Sequence, residues 1–95
     1  MNGKELMFGY DREVDVLYIS LGKPEKGMKY IELSSNLILR LDPKSKEIVG
    51  ITIIDFSKQF SGERYFNKVP IMASFLPGKE ISALLESGKI GDLNN

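Results

Sequence analysis

The stretch of residues 48–57, IVGITIIDFS, constrains the fold more than any other part of the sequence. Side chains of a β-strand point alternately to its two faces, and both faces of this strand would be apolar. The first face would carry Val49, Ile51 and Ile53, and the second would carry Ile48, Ile54 and Phe56. A strand that is apolar on both faces lies in the middle of a sheet covered from both sides. The rest of the chain should therefore supply strands that pair around it and segments that cover it.

Four further strands are predicted before this one, because apolar residues there alternate with polar ones. They cover residues 6–10, 15–21, 28–33 and 37–41, and polar turns separate them. Turns that recur about every ten residues are typical of an antiparallel meander. A parallel sheet would need a helical crossover between strands, and the chain has no room for one.

The remainder of the chain should be partly helical. Residues 58–68 are interpreted as a short helical turn followed by a loop, and residues 69–76 as a short strand or two helical turns. The spacing predicts a helix over residues 79–87, with Gly88 as its left-handed C-terminal cap. The chain is thus predicted to be one α+β domain over residues 1–95, an antiparallel β-meander of about five strands with a C-terminal helix packed on the sheet.

Composition excludes several classes of function. The chain has 13 basic and 13 acidic residues and neither His nor Cys. The Ser-His-Asp and Cys-His triads, thiolate nucleophiles, disulfides and His- or Cys-ligated zinc are therefore impossible. Balanced charge offers little of the counterion-release affinity of nucleic-acid binding, so we do not expect nucleic acid as a partner. Neither a signal-like region nor a run of about 20 apolar residues occurs, so we expect a cytoplasmic protein without a membrane partner, metal or cofactor.

Four residues form a candidate polar site: Asp11, Asp15, Tyr18 and Asp55. Carboxylates near a phenol could act as acid and base or hold a divalent cation. In the structural alternative, Asp11 caps the first turn and Asp15 fixes the start of a strand by accepting hydrogen bonds from nearby amides. Asp55 could have a raised pKa in a pocket, or could accept hydrogen bonds from Ser57 and the following amides to cap a helical turn. We favour the structural interpretation of each.

Gly50 is unusual, because Gly weakens pairing in the interior of a strand. One interpretation is a β-bulge or the close crossing of a neighbouring side chain. The other is close approach of a ligand or of a partner's backbone. We favour the first interpretation.

The second sheet face predicts an interface. Its candidate residues are Val16, Tyr18, Tyr30, Ile38, Ile54 and Phe56. Leaving apolar area in water is unfavourable by roughly 25 cal/mol per Å². One short helix cannot cover both faces of a five-stranded sheet, so residues 60–76 or another subunit should cover this one. We expect a homodimer, and the sequence leaves open whether its C-terminal segment is exchanged between subunits.

A motif carried by four segments points to a known family. The segments are Tyr10-Asp11-x-x-x-Asp15, Leu17-Tyr18-Ile19, Leu39-x-Leu41-Asp42 and Ile48-Val49-Gly50-Ile51-x-Ile53-x-x-x-Ser57. The sequence resembles the small prokaryotic family catalogued as Domain of Unknown Function 2283, and Thr52 stands where that family usually has Glu. The resemblance implies an antiparallel sheet with helical decoration and supplies no activity. It also implies an antitoxin-like role with a protein partner encoded nearby, since family members often lie beside genes that resemble toxins.

Three hypotheses for function follow. The leading one is a non-enzymatic protein–protein interaction or regulatory module, antitoxin-like in its narrower form. The second is a small-molecule-binding protein or carboxylate-based enzyme built around Asp15, Tyr18 and Asp55, which would need a pocket lined by apolar groups. The third, nucleic-acid binding through the lysine-rich loop before Tyr30, is disfavoured by the net charge.

Overall fold

The computed structural model of the protein describes residues 4–60 and 66–88, so residues 61–65 of the predicted loop lie outside the described part. Five strands form one sheet. They are β1 (Leu6–Asp11), β2 (Val16–Leu21), β3 (Lys29–Ser34), β4 (Leu37–Asp42) and β5 (Glu47–Ile54). A short 3₁₀ helix (Phe56–Gln59) and helix α1 (Lys79–Ser87) follow. The predicted antiparallel sheet with a C-terminal helix is therefore confirmed.

Strand β5 occupies the middle of the sheet, as its two apolar faces predict. The strand order is β1-β2-β5-β4-β3, and every neighbouring pair is antiparallel. The chain makes two hairpins and then inserts β5 between them, so β2 and β3 do not pair as they would in a simple meander. The central position suits β5 because it has apolar side chains to shelter on both sides.

Gly50 lies beneath the side chain of Arg40. A Cβ atom built on Gly50 would lie 2.7 Å from Arg40 Cζ. The guanidinium crosses the glycine and donates hydrogen bonds to Ser20 Oγ (2.7 Å) and to the carbonyl oxygen of Val49 (3.2 Å). The pairing of β4 with β5 also shifts register between Arg40 and Leu41. The interpretation of Gly50 as a site of close side-chain crossing beside a bulge is confirmed.

The chain leaves the sheet two residues earlier than the sequence predicts. β5 ends at Ile54, and Asp55 adopts a left-handed conformation with φ of 55°. This turn sends Phe56 into the 3₁₀ helix, so the expectation that Phe56 extends the second sheet face was wrong. Its ring instead makes edge contacts with Tyr10 (centroids 5.8 Å apart) and Phe60 (5.2 Å).

Helix α1 has the predicted limits, and Gly88 caps it in the left-handed region with φ of 70°. The predicted packing of the helix on the sheet needs correction, because none of its residues is buried. Its apolar residues Ile81, Leu84 and Leu85 are 51%, 45% and 56% exposed. Residues 66–78, which precede the helix, contain neither helix nor strand that could fix it against the sheet. No helix of the described ranges is long and apolar enough to cross a membrane.

Few side chains are buried in the part of the chain that the structure describes. Among the residues that the structure describes, only Val16, Leu39 and Val49 form a buried apolar core. The radius of gyration is 16.2 Å, against about 12 Å for a compact domain of this length. The sheet therefore lacks the cover that its apolar residues predict.

Candidate functional site

The polar residues that the structure brings together are Tyr10, Asp15 and Ser57. The Asp15 carboxylate accepts hydrogen bonds from the Tyr10 hydroxyl (2.5 Å) and the Ser57 hydroxyl (2.7 Å). It also accepts two from the Ser57 amide, at 3.1 and 3.2 Å. The Phe56 amide donates to the carbonyl oxygen of Asp15 at 2.9 Å. Asp15 thus joins the β1–β2 turn to the segment that follows β5.

Strand pairing explains why these residues meet. Asp15 immediately precedes β2, Ser57 follows β5, and the antiparallel pair places Val16 opposite Ile54. Asp15 itself has a positive φ of 58°, a conformation that non-glycine residues adopt rarely and that Asp tolerates better than most. Hydrogen bonds to both its carboxylate and its carbonyl oxygen stabilise this conformation.

The same hydrogen bonds shift two ionisation equilibria. Donation by Tyr10, and then by Ser57, lowers the pKa of Asp15 below its ordinary value, because both donors stabilise the carboxylate. The hydrogen bond to Asp15 raises the pKa of Tyr10, since deprotonation would remove the donor and place two negative charges side by side. Asp15 is therefore an ionised acceptor at neutral pH, and Tyr10 is a neutral donor.

Asp55 does not cap the 3₁₀ helix as predicted. It occupies the N-cap position, but its side chain makes no capping hydrogen bond. A capping side chain reaches the following amides from a β-region backbone, whereas Asp55 is left-handed. Asp15 supplies the missing acceptor to the Ser57 amide from 42 positions earlier in the chain. The prediction that Ser57 donates to Asp55 was therefore wrong.

The remaining candidates are placed separately from this cluster. Asp11 Oδ1 accepts the Glu13 amide at 3.0 Å, which is the predicted cap of the first turn. Tyr18 is 46% exposed and lies with Tyr10 and Asp11 along a shallow surface depression. Within the described residues, no group of three or more potential metal ligands occurs. The four predicted site residues therefore do not form one hydrogen-bonded cluster. Of the four, Asp15 alone belongs to the cluster with Tyr10 and Ser57.

Sequence reasoning did not select Tyr10 and Ser57 as functional residues. Both residues belong to the motif that carries the family resemblance. The motif gives their positions in the sequence but does not show that they lie close together in the fold. The missing signal was the pairing of β2 with β5. Once that pairing is known, the residues just before β2 and just after β5 must lie side by side.

Replacement of Asp15 by asparagine should lower the pKa of Tyr10 towards the ordinary value of about 10. The amide keeps an acceptor oxygen but loses the negative charge that opposes deprotonation of the phenol. NMR titration of ring-labelled tyrosines, with Tyr10→Phe to assign the signal, measures the shift. Asp11→Asn removes one charge from the same turn and should change the Tyr10 pKa less. An unchanged Tyr10 pKa in Asp15→Asn would contradict the observed hydrogen bond.

Stability should depend on the same cluster in acid. Because the pKa of Asp15 is lower in the folded chain, its contribution to stability is present above the unfolded pKa of about 3.9 and is lost as pH falls through the folded pKa. Asp15→Asn lacks this contribution at every pH. Urea unfolding should therefore show a smaller acid-induced loss of stability in Asp15→Asn than in the wild type.

The second notable feature is one apolar face of the sheet. Pairing aligns a row across all five strands, in the order Phe8, Ile19, Ile51, Leu39 and Ile31. A neighbouring row on the same face consists of Tyr10, Leu17, Ile53 and Leu37. We call these nine residues the apolar face. Apart from the Tyr10 hydroxyl, it presents no polar side chain.

The opposite face contains most of the predicted interface residues but is mixed in character. Its rows include Thr52 and Glu32 beside Tyr18 and Ile38, and Ser20 and Arg40 beside Tyr30. Exposure varies within the predicted set, since Tyr30 is 72% exposed and Val16 is already buried at 8%. Ile38, Ile54 and Phe56 are half-buried. The apolar face is therefore the more uniformly apolar of the two.

A family described as Protein of unknown function (DUF2283) matches residues 8–57, which is just over half of the chain. The chain belongs to this family. The matched region begins within β1 and ends in the 3₁₀ helix, so the DUF2283 region contains most of β1, strands β2 to β5 and the Tyr10–Asp15–Ser57 cluster. Helix α1 lies beyond it. No curated protein and no solved structure matches the chain.

Proposed function

We propose that this DUF2283 protein is a protein–protein interaction module that binds another polypeptide through its apolar face. The observation that carries the proposal is the pair of aligned apolar rows, which neither helix α1 nor a second sheet layer buries. Phe8 at the end of one row is 82% exposed, and only Leu39 of the face is buried. Apolar surface of this extent on a soluble domain marks a binding surface.

The proposal assigns the polar cluster a structural role. Asp15 already receives hydrogen bonds from Tyr10 and Ser57, and these hold the 3₁₀ helix at the end of the apolar face. The Tyr10 ring contributes to that face, and its edge contact with Phe56 continues the apolar surface to Phe60. In this view the cluster shapes one border of the binding surface.

The narrower form of the proposal is a regulatory, antitoxin-like role in the cytoplasm. In this form the partner is the product of a gene that lies beside the gene for this chain. The family resemblance supports it, and so does a surface suited to a stable complex. Co-expression with the product of the adjacent gene tests this form. A complex that survives purification with both chains in fixed ratio would support it, and two separately eluting proteins would contradict it.

Replacing Phe8 by glutamate should weaken partner binding strongly while leaving the sheet folded. Phe8 is 82% exposed within the subunit, so a charge there is tolerated in the free protein but is desolvated in a complex. We expect affinity to fall by about tenfold or more, since each 1.4 kcal/mol corresponds to a factor of ten. The measurement is quantitative recovery of the bound polypeptide from the native host by tagged wild-type and variant protein.

Tyr30→Glu is the matched control, because Tyr30 is 72% exposed on the opposite face at the other edge of the sheet. It should retain the partner. Equal binding by wild type and Phe8→Glu, or a loss confined to Tyr30→Glu, would contradict the assignment of the apolar face. The second outcome would instead favour an interface on the Tyr30 side.

A further inference from the structure

We propose that the polypeptide covering the apolar face is a second copy of this chain, and that residues 66–88 of each copy lie on the apolar face of the other. We call residues 66–88 the C-terminal arm. This inference rests on the proposed function, because it names the partner of the same surface. It describes a homodimer with exchanged arms.

The arm is rich in apolar residues, and these are more exposed than most of the face. Exposed apolar side chains occur along its whole length: Phe66 (92%), Met72 (99%), Phe75 (82%), Leu76 (79%), Ile81 (51%), Leu84 (45%) and Leu85 (56%). In α1 the last three are spaced so that they share one side of the helix. An arm of this composition has no core of its own, and the sheet has an apolar face without an arm. Each supplies what the other lacks.

The exposed area is large enough for a stable dimer. The subunit has an accessible surface of 8485 Å² and a mass of 10.7 kDa. A folded monomer of that mass exposes about 5,500 Å², so the excess is roughly 3,000 Å². Obligate dimers bury about 2,000–5,000 Å² in total, or about 1,000–2,500 Å² per subunit. The excess covers that requirement.

The connection to α1 allows the arm to reach another subunit. The arm is attached near the end of the sheet, where Asn67 Nδ2 donates to the carbonyl oxygen of Gln59 at 2.9 Å. Residues 68–78 then lack helix and strand and can span at most about 36 Å. Five strands about 4.8 Å apart are only about 19 Å across. The connection is therefore longer than the sheet it must cross.

Symmetry explains why two copies should exchange their arms in a closed dimer and not form an open-ended filament. Each copy carries one arm and one apolar face. If the arm of one copy covers the face of a second, a two-fold axis returns the second arm to the first face. Both apolar faces are then paired, and neither remains open to recruit a third copy.

Disulfide trapping can test this exchange cleanly, because the natural chain contains no cysteine. One chain carries Leu84→Cys in the arm, and a differently tagged chain carries Ile19→Cys at the centre of the apolar face. The two are mixed, allowed to exchange, and oxidised mildly at micromolar concentration. We expect a disulfide-linked heterodimer to form about a thousandfold faster than random collision allows, because the effective concentration within a complex is millimolar and the bulk concentration is micromolar.

Two controls keep the result interpretable. Tyr30→Cys on the opposite face should not be trapped by the arm. Leu17→Cys, also on the apolar face, replaces Ile19→Cys if that variant fails to fold by circular dichroism. Sedimentation of the wild-type chain should give a dimer, and Leu84→Asp combined with Leu85→Asp should give a monomer, because both side chains are already about half exposed in the subunit.

Three results would overturn the exchange. They are a wild-type monomer at micromolar concentration, trapping by Tyr30→Cys in place of the apolar face, and an internal disulfide in a monomeric chain that carries both Leu84→Cys and Ile19→Cys. The last would show that each arm covers its own sheet. The proposed function has a separate test: a different protein whose binding is lost in Phe8→Glu would preserve the interaction module although the homodimer had failed.

Discussion

Replacement of Gly50 by alanine should destabilise the sheet by about 2 kcal/mol, although alanine is usually the better residue in a strand. The new Cβ atom would lie 2.7 Å from Arg40 Cζ and 2.8 Å from its Nη2, so the guanidinium must move. Its hydrogen bonds to Ser20 Oγ and the Val49 carbonyl would then break. Hydrogen bonds to charged groups contribute about 1.5–3 kcal/mol each, and renewed solvation of the displaced arginine offsets part of the loss.

Thermal or urea unfolding at one fixed protein concentration measures this effect, with an expected fall in Tm of about 8–16 °C. Gly9→Ala is the matched control, because Gly9 lies in edge strand β1 and a Cβ atom there meets nothing within 4 Å. It should be neutral or slightly stabilising. In an Arg40→Ala background the effect of Gly50→Ala should largely disappear, so that the double-mutant cycle gives a coupling above about 1 kcal/mol. If Gly50→Ala lowered stability equally in the wild-type and Arg40→Ala backgrounds, contact with Arg40 would not be the reason that position 50 requires glycine.

Features set by local pattern were predictable from sequence. Alternation located the first four strands, a run that is apolar on both faces located β5, and the helix over residues 79–87 followed from its apolar spacing and the glycine at position 88. Gly50 was predictable for a related reason, because a glycine inside an otherwise strong strand requires a close neighbour. The identity of that neighbour was not predictable. Arg40 and Gly50 face each other only because β4 pairs with β5 in one particular register.

The candidate polar site required information that local pattern does not contain. Asp55 precedes a helical turn and Ser57 lies within it, so sequence alone favours a cap between these neighbours. The backbone of Asp55 is left-handed, and this single conformation removes its side chain from the capping position. The acceptor comes from Asp15 through the pairing of β2 with β5, which no short-range rule specifies.

The position of helix α1 differs from its prediction for a different physical reason. An apolar stripe on a helix shows that the helix will be buried, but it does not identify the surface that buries it. The sequence-based fold placed α1 on its own sheet and left the mixed face for a partner. The structure leaves Ile81, Leu84 and Leu85 about half exposed, so the helix does not cover the apolar face. This uncovered face is the one that we propose as the binding surface. The apolar side of the helix was predictable from sequence, whereas its separation from the sheet was not.

Replacement of Leu39 by alanine should have a still larger effect, a loss of about 3 kcal/mol. Leu39 is 4% exposed and lies between Ile31 and Ile51 in the row that crosses all five strands. Leu-to-Ala substitutions at buried positions remove about 2–5 kcal/mol, through lost burial and the cavity left behind. Since only three apolar side chains are buried in the described part of this subunit, there are few others to compensate. Denaturant unfolding at constant protein concentration measures the loss.

Leu33→Ala removes the same atoms from edge strand β3, where Leu33 is 46% exposed, and should lower stability by less than about 1 kcal/mol. The comparison also depends on protein concentration if a second copy covers the sheet. Association stabilises the folded chain more as concentration rises, so wild type and Leu39→Ala should both unfold at higher denaturant in more concentrated samples. A Leu33→Ala loss that matches that of Leu39→Ala would show that the edge is as deeply buried as the centre, contrary to the 46% exposure of Leu33.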